Sequence, residues 1–147
     1  MNESSSTTDR TTFRHRCAVR LKAEREKIGL SQERLAERAG FHRSYVSQVE
    51  RSVQNVSLDN LERLHLALVA TQPSANSKSW RTRFAENMKR ERISLGLSQE
   101  KLAEMAGLHR TYVSQVERGV TSISLDNVEK LAVALGRDED SLLAASM

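Results

Sequence analysis

The chain has 147 residues, of which 38% are hydrophobic and 29% are charged, a composition typical of a globular domain or two small ones. No apolar run approaches the roughly 18 residues that a membrane-spanning helix needs, and the polar start MNESSSTTDRTT lacks the apolar core of a signal peptide, so we expect a cytoplasmic protein. The single cysteine, Cys17, excludes an intrachain disulfide and a cysteine-based zinc site.

The net charge is +4, and its basic excess is concentrated in two stretches. Residues 10–27 contain seven Arg or Lys against two Glu, and residues 78–92 contain six against two. Each stretch favours contact with a polyanion, although the solvated face of a helix gives the same pattern.

These stretches open two copies of one unit. At an offset of 67 positions, 28 of the 40 residues in 29–68 are identical to those in 96–135, and HRSYVSQVERS at 42–52 recurs as HRTYVSQVERG at 109–119. Solenoids need about three or more stacked repeats, so two copies favour duplicated domains. We predict a disordered tail over 1–11, a first domain over 12–69, a linker over 70–78 and a second domain over 79–147.

Each unit is predicted to be helical. In the second copy, Trp80, Phe84 and Met88 recur every four residues along a first helix that ends at Gly96. Ser98 is a favourable N-cap for a second helix over 99–105, which Gly107 ends in a left-handed conformation. A third helix is predicted from about His109 to Glu117, a fourth after the cap Ser124, and a short fifth over 139–145.

The first copy follows the same plan as far as Leu68 and then departs from it. Its continuation, VATQPSANSKS, is predicted to be a linker rather than a fifth helix. We therefore expect exposed apolar surface near Leu66 and Val69, covered by the partner copy or by another chain. Fully extended, residues 70–79 would span roughly 33–36 Å, about the 34 Å between half-sites one helical turn of DNA apart.

A short helix, a glycine turn and a second short helix form the helix-turn-helix pattern. The segments GLSQERLAERAGFHRSYVSQVERS and GLSQEKLAEMAGLHRTYVSQVERG resemble the lambda-repressor-like, or Xre, helix-turn-helix family. The resemblance implies an all-α fold of two tandem domains with about four to five helices each. The third helix is most similar to that of restriction–modification controller proteins, with phage and plasmid repressors close behind.

The resemblance implies that each third helix lies in the major groove of DNA. The implied base contacts are Arg43, Ser44, Tyr45, Ser47, Gln48, Arg110, Thr111, Tyr112, Ser114 and Gln115. Arginine can grip guanine O6 and N7 with two hydrogen bonds, and glutamine can pair with adenine. The implied phosphate contacts are Gln32, His42, Asn55, Gln99, His109 and Ser122. The loops SVQNVS and GVTSIS lack the basic residues with which many relatives reach the minor groove.

The resemblance also implies structural salt bridges between Arg25 and Glu50 and between Arg92 and Glu117. We expect no metal site, because the histidines have no cysteine or acidic partner at ligand spacing, and no cofactor. The absence of a phosphate loop, a HExxH motif and a nucleophile elbow predicts a protein that is not an enzyme.

The leading function is sequence-specific binding of double-stranded DNA for transcriptional control, at an operator with two similar half-sites. The sequence leaves open whether the half-sites are inverted or direct and whether the chain represses or activates. It also leaves open whether a homodimer forms, and no small-molecule effector is evident. The alternative is a protein-interaction module that uses the same fold, such as an antitoxin or a coactivator.

Overall fold

The computed structural model describes residues 11–70 and 74–145, so residues 1–10 of the predicted tail over 1–11, and residues 71–73 of the predicted linker, lie outside the described residues. In the described ranges the chain forms nine helices: α1 (Phe13–Lys27), α2 (Gln32–Ala39), α3 (Arg43–Glu50), α4 (Leu58–Val69), α5 (Trp80–Ser94), α6 (Gln99–Ala106), α7 (Arg110–Glu117), α8 (Leu125–Leu135) and α9 (Glu139–Leu143). The all-α fold with two tandem helix-turn-helix units is confirmed. None of these helices combines the length and apolar composition needed to cross a bilayer.

Serine hydroxyls and left-handed glycines set the helix ends. The N-cap serines of α2, α4, α6 and α8 each accept a hydrogen bond from the backbone N–H three residues later, at 3.0–3.2 Å. Gly107 ends α6 with a φ of 69°, a backbone conformation that side chains with a Cβ rarely adopt. The predicted caps Ser98 and Ser124 and the left-handed turn at Gly107 are therefore confirmed.

Several predicted helix boundaries shift by a residue or two, two of them for reasons that the backbone shows. Helix α7 begins at Arg110 because His109 is the N-cap, with extended backbone angles and no hydrogen bond from its side chain. The fifth helix is shorter than the predicted 139–145, since Ala144 adopts an extended conformation after Leu143. Such end effects depend on local backbone angles that an apolar pattern does not encode.

Each unit buries the apolar face of its helices in a core of its own. The side chains of Leu35, Val46, Leu58 and Leu64 are fully buried in the first unit, and their counterparts at Leu102, Val113, Leu125 and Leu131 are fully buried in the second. The identity of the repeat therefore extends to the packing, which fixes the third helix of each unit in the same way.

The two units pack against each other through contacts that are reciprocal. The backbone N–H of Leu58 donates to the carbonyl of Ile123 at 2.8 Å, and the N–H of Leu125 donates to the carbonyl of Val56 at 3.0 Å. Because Leu125 and Ile123 are the counterparts of Leu58 and Val56, each unit gives the other the contact that it receives. Together they form one antiparallel bridge, between Ser57 and Ser124.

Side chains at the start of α1 and α5 extend the same reciprocity. The N–H of Phe13 donates to Glu129 at 3.1 Å, and the N–H of Trp80, its counterpart, donates to Glu62 at 3.1 Å.

Two ion pairs repeat the pattern, since Arg14 lies 3.5 Å from Asp126 while Arg81 binds Asp59 through two nitrogens. Reciprocal contacts of this kind are the property of an isologous interface, so the two units are related by an approximate two-fold axis.

A fifth helix is present in the second unit alone, within the described ranges. Leu142 of α9 is buried against the second unit, and the side-chain amide of Asn87 donates to the carbonyls of Leu142 and Ala144 at 2.8 and 2.9 Å. At the matching end of the first unit, Trp80 packs beside His65 with ring centroids 5.3 Å apart, and Val69 remains 49% exposed. The second unit thus covers part of the apolar surface that the sequence predicts there.

Candidate nucleic-acid interface

Helix α3 buries one face and leaves the other free. Val46 and Val49 are 0% and 2% exposed, whereas Arg43 and Ser44 at the first turn are exposed and Gln48 is half-buried. Helix α7 repeats this arrangement with Arg110, Thr111 and Gln115. The residues implied as base contacts therefore form a polar strip along the outer face of each third helix.

A buried ion pair fixes the end of α3 against α1. Arg25 donates from Nε and a terminal nitrogen to the two oxygens of Glu50, at 2.6 and 2.8 Å. Burial alone would raise the pKa of Glu50, but the hydrogen bonds from Arg25 and Gln32 outweigh it and hold that pKa below its usual value. The pair also ties the turn before α2 to α1, because Arg25 donates to the carbonyl of Leu30 at 2.8 Å.

The second unit contains the same pair. Arg92 donates to the two oxygens of Glu117 at 2.6 and 3.0 Å, and to the carbonyl of Leu97 at 2.7 Å. The hydrogen bond from Arg92 to Glu117 raises the pKa of the guanidinium. Both carboxylates accept hydrogen bonds from groups within the protein, as expected for residues that stabilise the fold.

The glutamines at the start of α2 and α6 belong to these networks. The Gln32 amide donates to Glu50 at 3.0 Å, and the Gln99 amide donates to Glu117 at 3.2 Å. Each amide nitrogen keeps one hydrogen for another acceptor. The network therefore positions both glutamines beside the first turn of their helix, where backbone N–H groups have no intrahelical partner.

The two tyrosines lie deeper than the sequence indicates. Tyr45 and Tyr112 are half-buried, and their hydroxyl oxygens accept hydrogen bonds from Asn60 and Asn127, both at 3.1 Å. A phenol that accepts one hydrogen bond can still donate its own proton. Each tyrosine therefore links the third helix to the fourth while its O–H remains a possible donor to a phosphate.

The remaining predicted phosphate contacts are less uniform. His42, His109 and Ser122 are exposed. Asn55 is exposed as well, but it accepts a 3.4 Å hydrogen bond from the backbone N–H of Asp126, which places it at the boundary between the units. An open cleft of about 670 Å³ lies at the start of α2, lined by Ser31, Gln32, Glu33, Arg25 and Arg43. The arginines and N–H groups there suit an anion, and the Glu33 carboxylate opposes one.

Two repeated basic positions are not among the individual contacts predicted from the sequence. Arg51 and Arg118 follow directly after α3 and α7, and both side chains are exposed. Lys22 and Lys89 occupy equivalent exposed positions on α1 and α5, and the charge of Lys22 lowers the pKa of Glu50. A search for basic residues that are identical between the two copies, 67 positions apart and outside the third helix, would find them.

Other chemistry has little support in the described ranges. No group of three or more His, Cys, Asp or Glu side chains there is arranged to hold a metal ion. Burial raises the pKa of the Cys17 thiol to about 12, so it is a poor nucleophile at neutral pH.

Comparisons with known proteins give concordant matches. A family model described as Helix-turn-helix matches residues 21–68 and 88–142. The chain is 48% identical over 61 residues to "Control protein C.BamHI" of Bacillus amyloliquefaciens, which covers 41% of this chain and 75% of the relative. It is 48% identical over 71 residues to "Neisseria hypothetical transcription factor" of Neisseria meningitidis serogroup B, covering 48% of this chain and 65% of that protein.

A solved structure is also similar. The restriction–modification controller protein C.AhdI from Aeromonas hydrophila shares 44% identity and a TM-score of 0.41, over 42% of this chain and 94% of that chain. The matches to the two relatives each span less than half of the present chain, and such a span is about the length of one of its two units.

Proposed function

Because the chain belongs to the helix-turn-helix family of DNA-binding transcriptional regulators, we propose that a single chain binds two inverted half-sites of double-stranded DNA. The observation that carries this proposal is the reciprocal interface between the units. A two-fold axis relates α3 to α7, and a protein two-fold axis matches the pseudo-palindromic symmetry of duplex DNA. A direct repeat would need the units related by translation along the helix.

The polar strips of α3 and α7 read the bases in this proposal. Arg43 and Arg110 donate to guanine O6 and N7, and Gln48 and Gln115 pair with adenine. Ser47 and Ser114 contribute shorter contacts, and the rings of Tyr45 and Tyr112 lie against thymine methyl groups. The Ser44 and Thr111 pair is the one difference within the two strips, so the half-sites differ most where these side chains lie.

Phosphate contacts hold the register. Gln32, His42, Gln99 and His109 flank the helix starts, and Asn55 and Ser122 lie in the following loops. Arg51, Arg118, Lys22 and Lys89 add positive charge on either side. Contacts of this type carry no sequence information but make binding strongly dependent on salt.

The names of the relatives favour a role as controller of a restriction–modification system, with simple repression as the alternative. Regulation then works through protein concentration and operator layout, with no effector ligand. Two such chains on adjacent operators would occupy four half-sites.

Selection of bound duplexes from a random pool tests the proposal. We expect an inverted repeat whose half-site centres lie about 34 Å apart, recovered with the full-length chain at low protein concentration. Enrichment of a direct repeat would contradict the two-fold arrangement. Failure to enrich any sequence would contradict specific binding altogether.

A further inference from the structure

Helix α9 provides a template for what the corresponding surface of the first unit can bind. In the second unit, Leu142 is 1% exposed against α5 and α8, and the side-chain amide of Asn87 donates to the carbonyls of Leu142 and Ala144. Glu139, one turn before Leu142, pairs with Arg16 of the first unit at 3.0 Å. The seat of α9 therefore has an apolar floor and a basic rim contributed by the opposite unit.

The two-fold axis generates the same seat on the first unit, between α1, α4 and the first turn of α5. We call it the α1–α4 groove, floored by Cys17, Leu21, Leu61, Leu68 and Trp80. It is a cavity of about 590 Å³, within the size range of ordinary ligand sites. The described linker residues 74–79 are all exposed, so they do not fill it as Leu142 fills its counterpart.

The rim of the α1–α4 groove is basic. Arg83 is the counterpart of Arg16, and Arg20 is the counterpart of Asn87. Within residues 11–70 and 74–145, the guanidinium of neither arginine makes a hydrogen bond or an ion pair, whereas that of Arg16 is paired with Glu139. The charge of Arg83 does act on the Glu62 carboxylate, whose pKa it lowers. Glu24 and Asp140 also line the cavity, and their negative charges would repel an acidic group of a ligand that lay beside them. An acidic residue that met Arg83 would reproduce the contact that Glu139 makes with Arg16.

We propose that the α1–α4 groove binds a short helix of a partner protein, in which an acidic residue lies one turn before a leucine. The leucine fills the apolar floor, and the acidic side chain pairs with Arg83. A second copy of this chain is a poorer occupant, because its own α9 is already seated with Leu142 buried and would have to leave that seat.

Titration of a synthetic peptide into the full-length chain tests the proposal. The probe is an end-capped peptide with the sequence of residues 137–145, RDEDSLLAA, which contains the acidic and leucine pattern of α9. Two-dimensional amide NMR should show saturable shifts at Cys17, Leu61 and Leu68 with a dissociation constant below about 1 mM. Absence of saturable shifts at that concentration, or shifts confined to other surfaces, would overturn the proposal.

A charge exchange identifies the basic contact. Arg83→Glu should weaken binding of the peptide by about tenfold or more, since two like charges then face each other. A second peptide carries lysine at the position that corresponds to Glu139. It should bind Arg83→Glu with the affinity that the first peptide has lost, and it should bind the unchanged protein poorly. If the first peptide bound the unchanged protein and Arg83→Glu with equal affinity, Arg83 would not contact the acidic residue of the peptide. That result would contradict the proposed recognition.

Three controls separate the groove from general effects. Arg137→Glu reverses an exposed arginine outside the groove and should leave peptide binding unchanged, and a peptide with Asp at the Leu142 position should not bind. DNA binding should persist in Arg83→Glu, because the groove is lined by α1, α4, α5 and α9 and by none of α2, α3, α6 or α7. Concentration-dependent dimerisation that Arg83→Glu abolishes would assign the groove to a second copy and overturn the partner proposal.

Discussion

Arg43 and Arg110 occupy equivalent exposed positions at the start of α3 and α7, and in the proposed complex each serves one half-site. A homodimer cannot test two such positions separately, because one substitution changes both halves. Here each arginine is encoded once, so its effect on one half-site can be measured with the other half-site as an internal reference.

We predict that Arg43→Ala relaxes base preference in one half-site and that Arg110→Ala relaxes it in the other. Each lost contact should weaken specific binding by about 1–3 kcal/mol and leave binding to random DNA nearly unchanged. Gel-shift titration with single-half operator mutants measures this, and Arg137→Ala, an exposed arginine far along the chain, is the matched control. Equal losses on specific and random DNA would make the two arginines phosphate contacts instead.

Glu50 shows how a charged residue can be structural. Its side chain is 2% exposed and accepts hydrogen bonds from Arg25 and Gln32, so α1, α2 and α3 meet at one carboxylate. The folded-state pKa of Glu50 lies below its unfolded value. The stabilisation is therefore fully present above the unfolded pKa, and it is lost as the pH falls through the folded pKa.

We predict that Glu50→Gln lowers the free energy of unfolding by about 3 kcal/mol at pH 7, because Arg25 is left buried without its counter-charge. The difference from the unchanged protein should shrink as the pH falls through the folded-state pKa of Glu50, which lies below its usual value, because that protein then also loses the ionised carboxylate. Urea unfolding at pH 7 and at a pH below that pKa measures it. Glu37→Gln removes an exposed partner of Arg34 and should cost less than about 1 kcal/mol; a similar loss in both variants would refute the structural role of Glu50.

The residue contacts divide into those that local sequence encodes and those that it does not. The arginines and glutamines of the third helices lie where the helical period and the family pattern put them. The hydroxyls of Tyr45 and Tyr112 are bound by Asn60 and Asn127, fifteen positions away on the fourth helix. Such a contact depends on the angle between two helices, which no local pattern records.

At the scale of the element, the clearest difference between the two units is helix α9. Its sequence has five helical residues, too few to be stable alone, so it depends on what it packs against. Asn87 is central because it is 5% exposed and donates to the carbonyls of Leu142 and Ala144. The counterpart of Asn87 in the first unit is Arg20, an exposed residue with no helix to bind.

We predict that Asn87→Ala lowers the free energy of unfolding by about 1–3 kcal/mol, because the buried carbonyl of Leu142 and the carbonyl of Ala144 lose their donor. Hydrogen exchange should become faster throughout α9. Arg20→Ala, at the equivalent position, should change stability by less than about 0.5 kcal/mol. Equal effects at the two positions would mean that α9 is not held by Asn87.

Most of the nine helices in the described ranges could be predicted from the sequence, because serine caps, glycine turns and apolar periodicity are local signals. The predicted start of the third helix, at its histidine, agrees with the observed start to within one residue. The end of α9 was predicted two residues too late, since Ala144 and Ala145 favour a helix by composition while the chain there turns to an extended conformation. Short elements are the ones whose ends depend on tertiary contacts.

At the scale of the molecule, the arrangement of the units could not be predicted. The sequence shows two copies, but inverted and direct arrangements place the same residues in each unit. The reciprocal contacts involve Asp59, Glu62, Asp126 and Glu129, which in a single unit look like ordinary polar residues on the fourth helix. The partner of each lies in the opposite unit, and that partner makes it an interface residue.

We predict that packing between the units, and not the linker, sets the preferred operator spacing. Insertion of about ten Gly and Ser residues between Gln72 and Pro73 should leave the preferred spacing and the affinity nearly unchanged. The same insertion combined with Arg14→Ala and Arg81→Ala, which removes both ion pairs, should broaden the range of accepted spacings. Gel-shift with operators of graded spacing measures it, and a spacing optimum that moves with linker length alone would show that the units are only tethered.

The bridge between Ser57 and Ser124 joins two parts of the same molecule. A regulator that must first pair with a second molecule has an active fraction that falls on dilution, so its operator occupancy rises with roughly the square of its amount. In the present chain this pairing is unimolecular, so its extent does not change on dilution. Occupancy should then rise with the first power of the number of molecules in the cell, which lets even a few newly made copies act on a promoter without a threshold.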